Sequence, residues 1–378
     1  MANKRIRKKW SAEWGKCPLC GRPLPADESQ RVAGSTGREV CANCIETGQK
    51  LLSLLQPKPK ATETAAETQT IQLPSPSEVL TALDRSIIGQ DEAKKAVVMA
   101  LWKQSLRARG EDIPNDSLLL YGPTGCGKTA LLREAAKLMD LPFLSFDATS
   151  ISETGYRGRD AVEMVKDLAH RCGVENAAHG VILIDEVDKI AARKGNEHRA
   201  AYCRGTQYSL LKLIEGMDIE LEDDTIDTSG ILFLFGGAFS DLTRKKTTAQ
   251  RRVPIGFERE RTSSEEEPLT ELEPEDFVSF GLEAELMGRI GRCVRLEALT
   301  GEQLRKILLE SELSVFQHYQ AFFRRKGRKL AMDETDINTL VKKALERGMG
   351  ARGLNALVEE WIQPKLAELA EGYYGQAG

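Results

Sequence analysis

The chain has 378 residues and carries 53 Lys and Arg against 57 Asp and Glu, a formal net charge of −4 that gives no global pull toward nucleic acid. Hydrophobic residues make up 41% and charged ones 29%, an ordinary globular balance with apolar material for two or three domains. No run of about eighteen apolar residues and no signal-peptide core are seen, so a soluble, cytoplasmic protein without a membrane partner is expected.

In chain order, Lys4, Arg5, Arg7, Lys8 and Lys9 form a short basic arm, expected to be solvated. Cys17 and Cys20, then Cys41 and Cys44, make two CxxC pairs separated by twenty residues. Each pair places two thiolates on one tight knuckle, and two knuckles complete a closed tetrahedral Zn²⁺ site. A fully liganded ion has no open position for chemistry, so the metal is read as structural. Only Leu24, Val32 and Val40 lie between the pairs as apolar core, and a module that small needs the ion to fold. Residues 1–55 are therefore assigned to a zinc-binding domain, with Lys50 to Leu55 finishing a short helix. The other four cysteines, Cys126, Cys172, Cys203 and Cys293, are scattered, which is not a disulfide framework. Residues 56–78 turn to Pro, Lys, Thr, Ala, Glu and Gln, a flexible linker whose r.m.s. reach is roughly 25 Å.

Residues 79–295 read as an α/β domain. Pro76-Ser77-Glu78 marks a helix start, and Ile87-Ile88-Gly89-Gln90 leads into the helical pattern Asp91 to Arg107. Apolar runs at Leu118–Tyr121, Phe143–Phe146, Val181–Ile184 and Ile231–Phe235 alternate with helical stretches, which predicts a parallel sheet covered by helices. The first run is followed by GPTGCGKT, from Gly122 to Thr129, and then by the helix-forming stretch Ala130 to Met139. Strand, glycine-rich turn and helix in that order are the P-loop context. Gly122, Pro123, Thr124, Gly125, Cys126 and Gly127 would curl the backbone around phosphate, with Ala130 in the helix start behind them. Lys128 would reach the β- and γ-phosphates of ATP, and Thr129 would hold Mg²⁺. The Val181 run ends in Asp185-Glu186, at the end of a core strand where open α/β sheets keep their ligands. Asp185 suits the orientation of Mg²⁺ and Glu186 the polarisation of attacking water, so ATP hydrolysis is the leading reaction. Residues 296–378 read as a smaller, mainly helical domain with helices at Gly301–Phe323, Asp333–Arg347 and Leu354–Leu369 and a short strand at Arg328–Ala331.

The wider set of motifs resembles the ClpX family, zinc-bearing AAA+ protein unfoldases that feed the ClpP peptidase. The likeness runs from Cys17 to about Leu369 and rests on IIGQDEAKK, GPTGCGKT, DATSISETGYRGRD, VILIDEVDKI, LLKLIEG, ILFLFGGAF, IGF, LEAELMGRIGR and GARGL, in the family's order. It implies an AAA+ fold with a small C-terminal helical domain and a treble-clef-like zinc module, and a homohexamer acting on protein substrates and adaptors. It also implies that Ile87 and Ile88 pack against adenine and that Arg289 is an arginine finger inserted into a neighbour's site. Arg352 is implied as the sensor from the C-terminal domain. Tyr156, with Arg157 beside it, corresponds to the pore loop that grips polypeptide, and Ile255, Gly256 and Phe257 to the tripeptide that docks into a ClpP-type peptidase.

Several positions depart from the family pattern. The segment between Gly216 and Ile231 is short and acidic where a longer basic entrance loop is usual, and Arg157 stands where Val is common. The second pore loop, near Ala191 to Arg204, has diverged, Phe235 replaces a small residue before GGAF, Gly291 replaces a proline, and Cys126 replaces a serine. Two other functions compete: a remodeller that works without a peptidase, and a zinc-bearing nucleic-acid ATPase, which the acidic overall charge disfavours.

Overall fold

A computed structural model of the chain describes residues 17, 31–33, 39–41, 44, 73–151, 160–193, 195, 197–222, 224–243 and 271–374. Cys20, the pore-loop residues Tyr156 and Arg157, the docking tripeptide Ile255, Gly256 and Phe257, the basic arm and the Lys50–Leu55 helix lie outside the described residues. The chain divides into two units, Met1–Ile71 and Gln72–Gly378.

In the first unit, β1 (Arg31–Ala33) and β2 (Glu39–Cys41) form an antiparallel pair with Arg31 opposite Cys41.

The second unit opens with α1 (Pro76–Ser86). Ser75 caps it through its hydroxyl, and Glu78 returns a carboxylate to the Ser75 N–H, a capping box that fixes the helix start within the stretch read as linker. Ile87 to Gln90 then lead to α2 (Asp91–Arg107). Five parallel strands follow in the order β4 (Phe143–Asp147), β5 (Val181–Asp185), β8 (Leu232–Gly237), β3 (Leu118–Tyr121) and β9 (Arg292–Arg295). Their side chains divide with the strand period of two. Leu119, Tyr121, Ile182, Ile184, Phe233 and Phe235 enter one core, and Leu118, Leu120, Val181, Leu183, Leu232 and Leu234 the other. Helices α3 (Lys128–Leu138) and α4 (Val162–Cys172) pack with these cores, and α5 (Val174–Ala177) is a single turn before β5. Helix α6 (Glu197–Glu215) leads to a small antiparallel hairpin of β6 (Asp218–Glu220) and β7 (Thr225–Asp227). Helices α7 (Pro274–Phe280) and α8 (Ala284–Ile290) precede β9.

The C-terminal helices are α9 (Gly301–Leu309), α10 (Val315–Arg325), α11 (Glu334–Arg347) and α12 (Gly350–Tyr374), gathered around Leu304, Phe316, Phe323, Leu340, Leu357 and Ile362. Two expectations change here. The stretch Gly301–Phe323 is two helices, because Ser314 caps a new one with its hydroxyl on the Gln317 N–H. The strand expected at Arg328–Ala331 is absent: these residues follow a helix-ending turn and pair with no strand.

Candidate active site

Strand β3 is flanked by β8 on one side and β9 on the other, so the chain leaves it for the far edge of the sheet and later returns on the opposite side. That is a switch point, where a crevice opens at the carboxyl ends of the strands. The loop Gly122–Gly127 fills it. Gly122, Gly125 and Gly127 have φ of 152°, 79° and 106°, values that favour residues without a Cβ. Gly125 is also tight in space, since a Cβ there would sit 2.0 Å from the carbonyl oxygen of Met349.

Lys128, the first residue of α3, is only 9% exposed. Its ammonium donates to the carbonyls of Gly122 at 2.7 Å and Pro123 at 3.0 Å. Among the described residues no carboxylate forms an ion pair with it. A buried cation that meets neutral groups and no carboxylate matches an anionic ligand, because an unpaired buried charge is costly. Next to it, Thr129 Oγ1 donates to Asp185 Oδ2 at 2.7 Å, so the hydroxyl and the carboxylate expected to hold Mg²⁺ already meet. The other carboxylate oxygen of Asp185 accepts the Glu186 N–H at 2.9 Å. Glu186 is exposed and sits in the left-handed region at φ 58°, a strained setting for a residue with a side chain. The residues present therefore fit a nucleotide triphosphate with its magnesium.

Behind the loop, Cys126 is 3% exposed with Lys128 Nζ 3.9 Å from its sulfur. Burial pushes its thiol above the ordinary value, and the nearby ammonium offsets this only in part. The group therefore stays protonated near neutrality, out of the thiolate form that reacts with oxidants.

The C-terminal helices contact the same loop. Ala351 N–H donates to Gly125 O at 3.0 Å, and a Cβ on Gly350 would lie 2.5 Å from that oxygen. Arg352 stands exposed in this first turn of α12, next to the residue that touches the phosphate loop. Ile87 is buried and Ile88 half-buried at the junction where Ser311 Oγ donates to Ser86 O and Glu312 N–H donates to Arg85 O at 3.0 Å. Arg289 lies on α8 and donates to Glu215 at the end of α6 at 2.8 Å, both side chains partly exposed.

Three supporting residues escaped the sequence reading. Gln90 donates from Nε2 to Glu297 O at 2.9 Å and accepts the Glu297 N–H at 3.0 Å, pinning the segment between β9 and α9 beside the loop. Gln207, 1% exposed, donates to Ile190 O at 2.8 Å and accepts the Glu283 N–H at 2.7 Å, which fixes the start of the helix carrying Arg289. Asp188, 5% exposed, accepts the Ala238 N–H at 3.1 Å and holds the end of β8 against β5. Gln90 and Asp188 lie inside quoted motifs, yet side-chain amides and carboxylates that bind backbone leave no periodic trace in sequence.

In the N-terminal unit, the Sγ atoms of Cys17, Cys41 and Cys44 lie within 4.8 Å of one another, and Cys17 is 1% exposed. Zn–S bonds of about 2.3 Å put tetrahedral sulfurs about 3.8 Å apart, so this thiol set fits a structural Zn²⁺.

Comparison with known proteins matches residues 113–293 to the AAA domain (Cdc48 subfamily) and residues 299–371 to the C-terminal, D2-small domain of ClpB protein. The chain is also 33% identical to the ATP-dependent Clp protease ATP-binding subunit ClpX of Treponema denticola, over 93% of this chain and 89% of that protein. The chain belongs to the ClpX family of AAA+ ATPases. In this ClpX-type ATPase the parallel five-stranded sheet carries the nucleotide loop and the C-terminal helices close against it. No helix among the described residues is long and apolar enough to cross a membrane.

Proposed function

We propose that this ClpX-type ATPase is a protein unfoldase and translocase that works as a homohexamer in the cytoplasm and delivers polypeptide to a ClpP-type peptidase. The observation that carries the ATP-driven part is the pairing of a buried, carboxylate-free Lys128 ammonium with the Thr129–Asp185 contact at 2.7 Å. Mg²⁺ held there by Thr129 and Asp185 would neutralise charge on the β- and γ-phosphates. Lys128 and the loop N–H groups bind and orient the triphosphate, and Glu186 takes the proton of the attacking water. Arg352 approaches the nucleotide from α12, while Ile87 and Ile88 pack against the base.

Arg289 is assigned to the neighbouring protomer's site, where an arginine supplied in trans raises turnover by about 10³ to 10⁵. That assignment makes a ring necessary. The domain division at residues 79–295 and 296–378 is part of the same reading, and its closing motion would move Tyr156 and Arg157 along the channel. Ile255, Gly256 and Phe257 would dock the peptidase. Zn²⁺ held by Cys17, Cys20, Cys41 and Cys44 would fold the module that recruits substrates and adaptors.

The test is ATP-dependent loss of fluorescence from a tagged substrate, with and without a ClpP-type peptidase. Tyr156→Ala should abolish unfolding, and Phe257→Ala should abolish degradation alone. Full unfolding by Tyr156→Ala would overturn the proposal.

A further inference from the structure

The turn after α10 carries Arg324, Arg325, Lys326, Arg328 and Lys329 within six consecutive positions, broken only by Gly327, and all six residues are exposed. Cations do belong at a helix C-terminus, where they complement the dipole, and Arg324 and Arg325 fill that role in the last turn of α10. The dipole effect fades within that turn. Lys326, Arg328 and Lys329 lie beyond it and are not explained by the helix.

The backbone beneath them is fixed. Gly327 adopts φ 70°, its N–H donates to Arg324 O at 3.0 Å, and the Arg328 N–H donates to Phe323 O at 3.0 Å. These are the two bonds of a Schellman motif. Phe323 and Leu330, 5% and 6% exposed, anchor both ends of the turn in the C-terminal core, and Gln320 Nε2 donates to Leu330 O at 3.3 Å. The turn borders a hollow of about 410 Å³ lined by Gln320, Arg324, Gly327, Arg328, Lys329 and Leu330. Among the described residues, no ion pair uses Arg324, Arg325, Arg328 or Lys329.

We propose that this rigid basic turn is a docking site for an acidic segment of a protein partner, whose Asp and Glu carboxylates bind across Arg324, Arg328 and Lys329. Guanidinium groups suit this role because each presents two parallel N–H donors to a carboxylate. The turn is already ordered, so binding does not bear the entropy of folding the receptor. A protein fits better than a nucleic acid for two reasons. The chain as a whole is negative, which repels a long polyanion, whereas a short acidic segment meets only the field within about 10 Å. The turn from Arg324 to Leu330 also contains no aromatic side chain on which a base could stack.

The choice of a protein partner rests on the proposed protein-handling function, but the test reads binding and is independent of unfolding. A fluorescein-labelled peptide with a run of glutamates is titrated into the full-length ATPase by anisotropy at low and moderate salt. A single-stranded oligonucleotide of equal charge serves as the second probe. The proposal expects peptide binding that weakens with salt and falls at least about tenfold in the triple variant Arg324→Glu, Arg328→Glu, Lys329→Glu. The milder pair Arg328→Gln and Lys329→Gln should show a partial loss, and basal ATP hydrolysis in both variants should match the parent. Unchanged peptide affinity in either variant would overturn the proposal. Equally, it fails if neutralising Lys4, Arg5, Arg7, Lys8 and Lys9 removes the binding instead, or if the oligonucleotide binds at the turn and the peptide does not.

Discussion

Replacing Gln90 by Ala tests how much one side chain adds to the hold between the nucleotide loop and the segment that leads into the C-terminal helices. The substitution removes two hydrogen bonds to the backbone of Glu297, at 2.9 and 3.0 Å, and a longer approach to Cys126 O at 3.5 Å. Two net hydrogen bonds are worth about 1 to 3 kcal/mol. Glu297 is exposed, so water takes over its orphaned groups and the loss settles at about 1 to 2 kcal/mol. For a unit of this size that lowers Tm by about 1.5 to 3 °C. Because the same side chain lies against the phosphate loop, affinity for a fluorescent ATP analogue should fall several-fold as well. Gln90→Glu keeps the acceptor of the Glu297 N–H and turns the donor into an oxygen facing a carbonyl, so it should be no better than Ala. The assays are calorimetry and nucleotide titration on the full-length chain. A Gln90→Ala protein with unchanged Tm and unchanged nucleotide affinity would refute the argument.

Glu186→Gln should bind ATP normally in a filter assay and release phosphate at least about 100-fold more slowly, the usual weight of a positioned base. Arg289→Ala breaks only a partly exposed pair with Glu215, worth up to about 1 kcal/mol, so Tm should barely move while hydrolysis falls about 10³-fold. Mixing Arg289→Ala with Glu186→Gln protomers should restore part of the hydrolysis, because one supplies an intact base and the other an intact arginine. Burial, reinforced by Glu275, pushes the Cys293 thiol from 9.0 to about 11. The unfolded chain therefore ionises this group first, and its contribution to stability, full below pH 9.0, should be lost as pH rises toward about 11. Comparing alkaline melting curves of the parent and Cys293→Ser checks the sign.

Much of the sheet was legible because its strands are short apolar runs bounded by turns. Leu118–Tyr121 and Val181–Asp185 are nearly all buried on both faces, and such strands show as continuous runs. Strand β9 was missed because Arg292 and Arg295 flank only Cys293 and Val294, an edge strand with little apolar signal. The β6–β7 hairpin was missed for a similar reason: one buried residue in each strand, Ile219 and Ile226, is flanked by exposed polar ones. At the site, Lys128, Thr129 and Asp185 were readable from spacing, since loop and strand end must converge wherever the motif folds. The partners of Gln90, Gln207 and Arg289 were not readable. They lie 207, 76 and 74 positions away, and only the topology brings them together.

The backbones of Gly125 and Gly350 meet with no side chain between them, and each faces a carbonyl across a gap too narrow for a methyl group. Here the contact is backbone on backbone and is closed by the Ala351–Gly125 hydrogen bond, while Ser311 on Ser86 and Glu312 on Arg85 tie the same group of helices down farther along. The carbonyl that receives the first turn of the long terminal helix thus belongs to the glycine loop itself, and a lone methyl added on either side would force the two backbones apart.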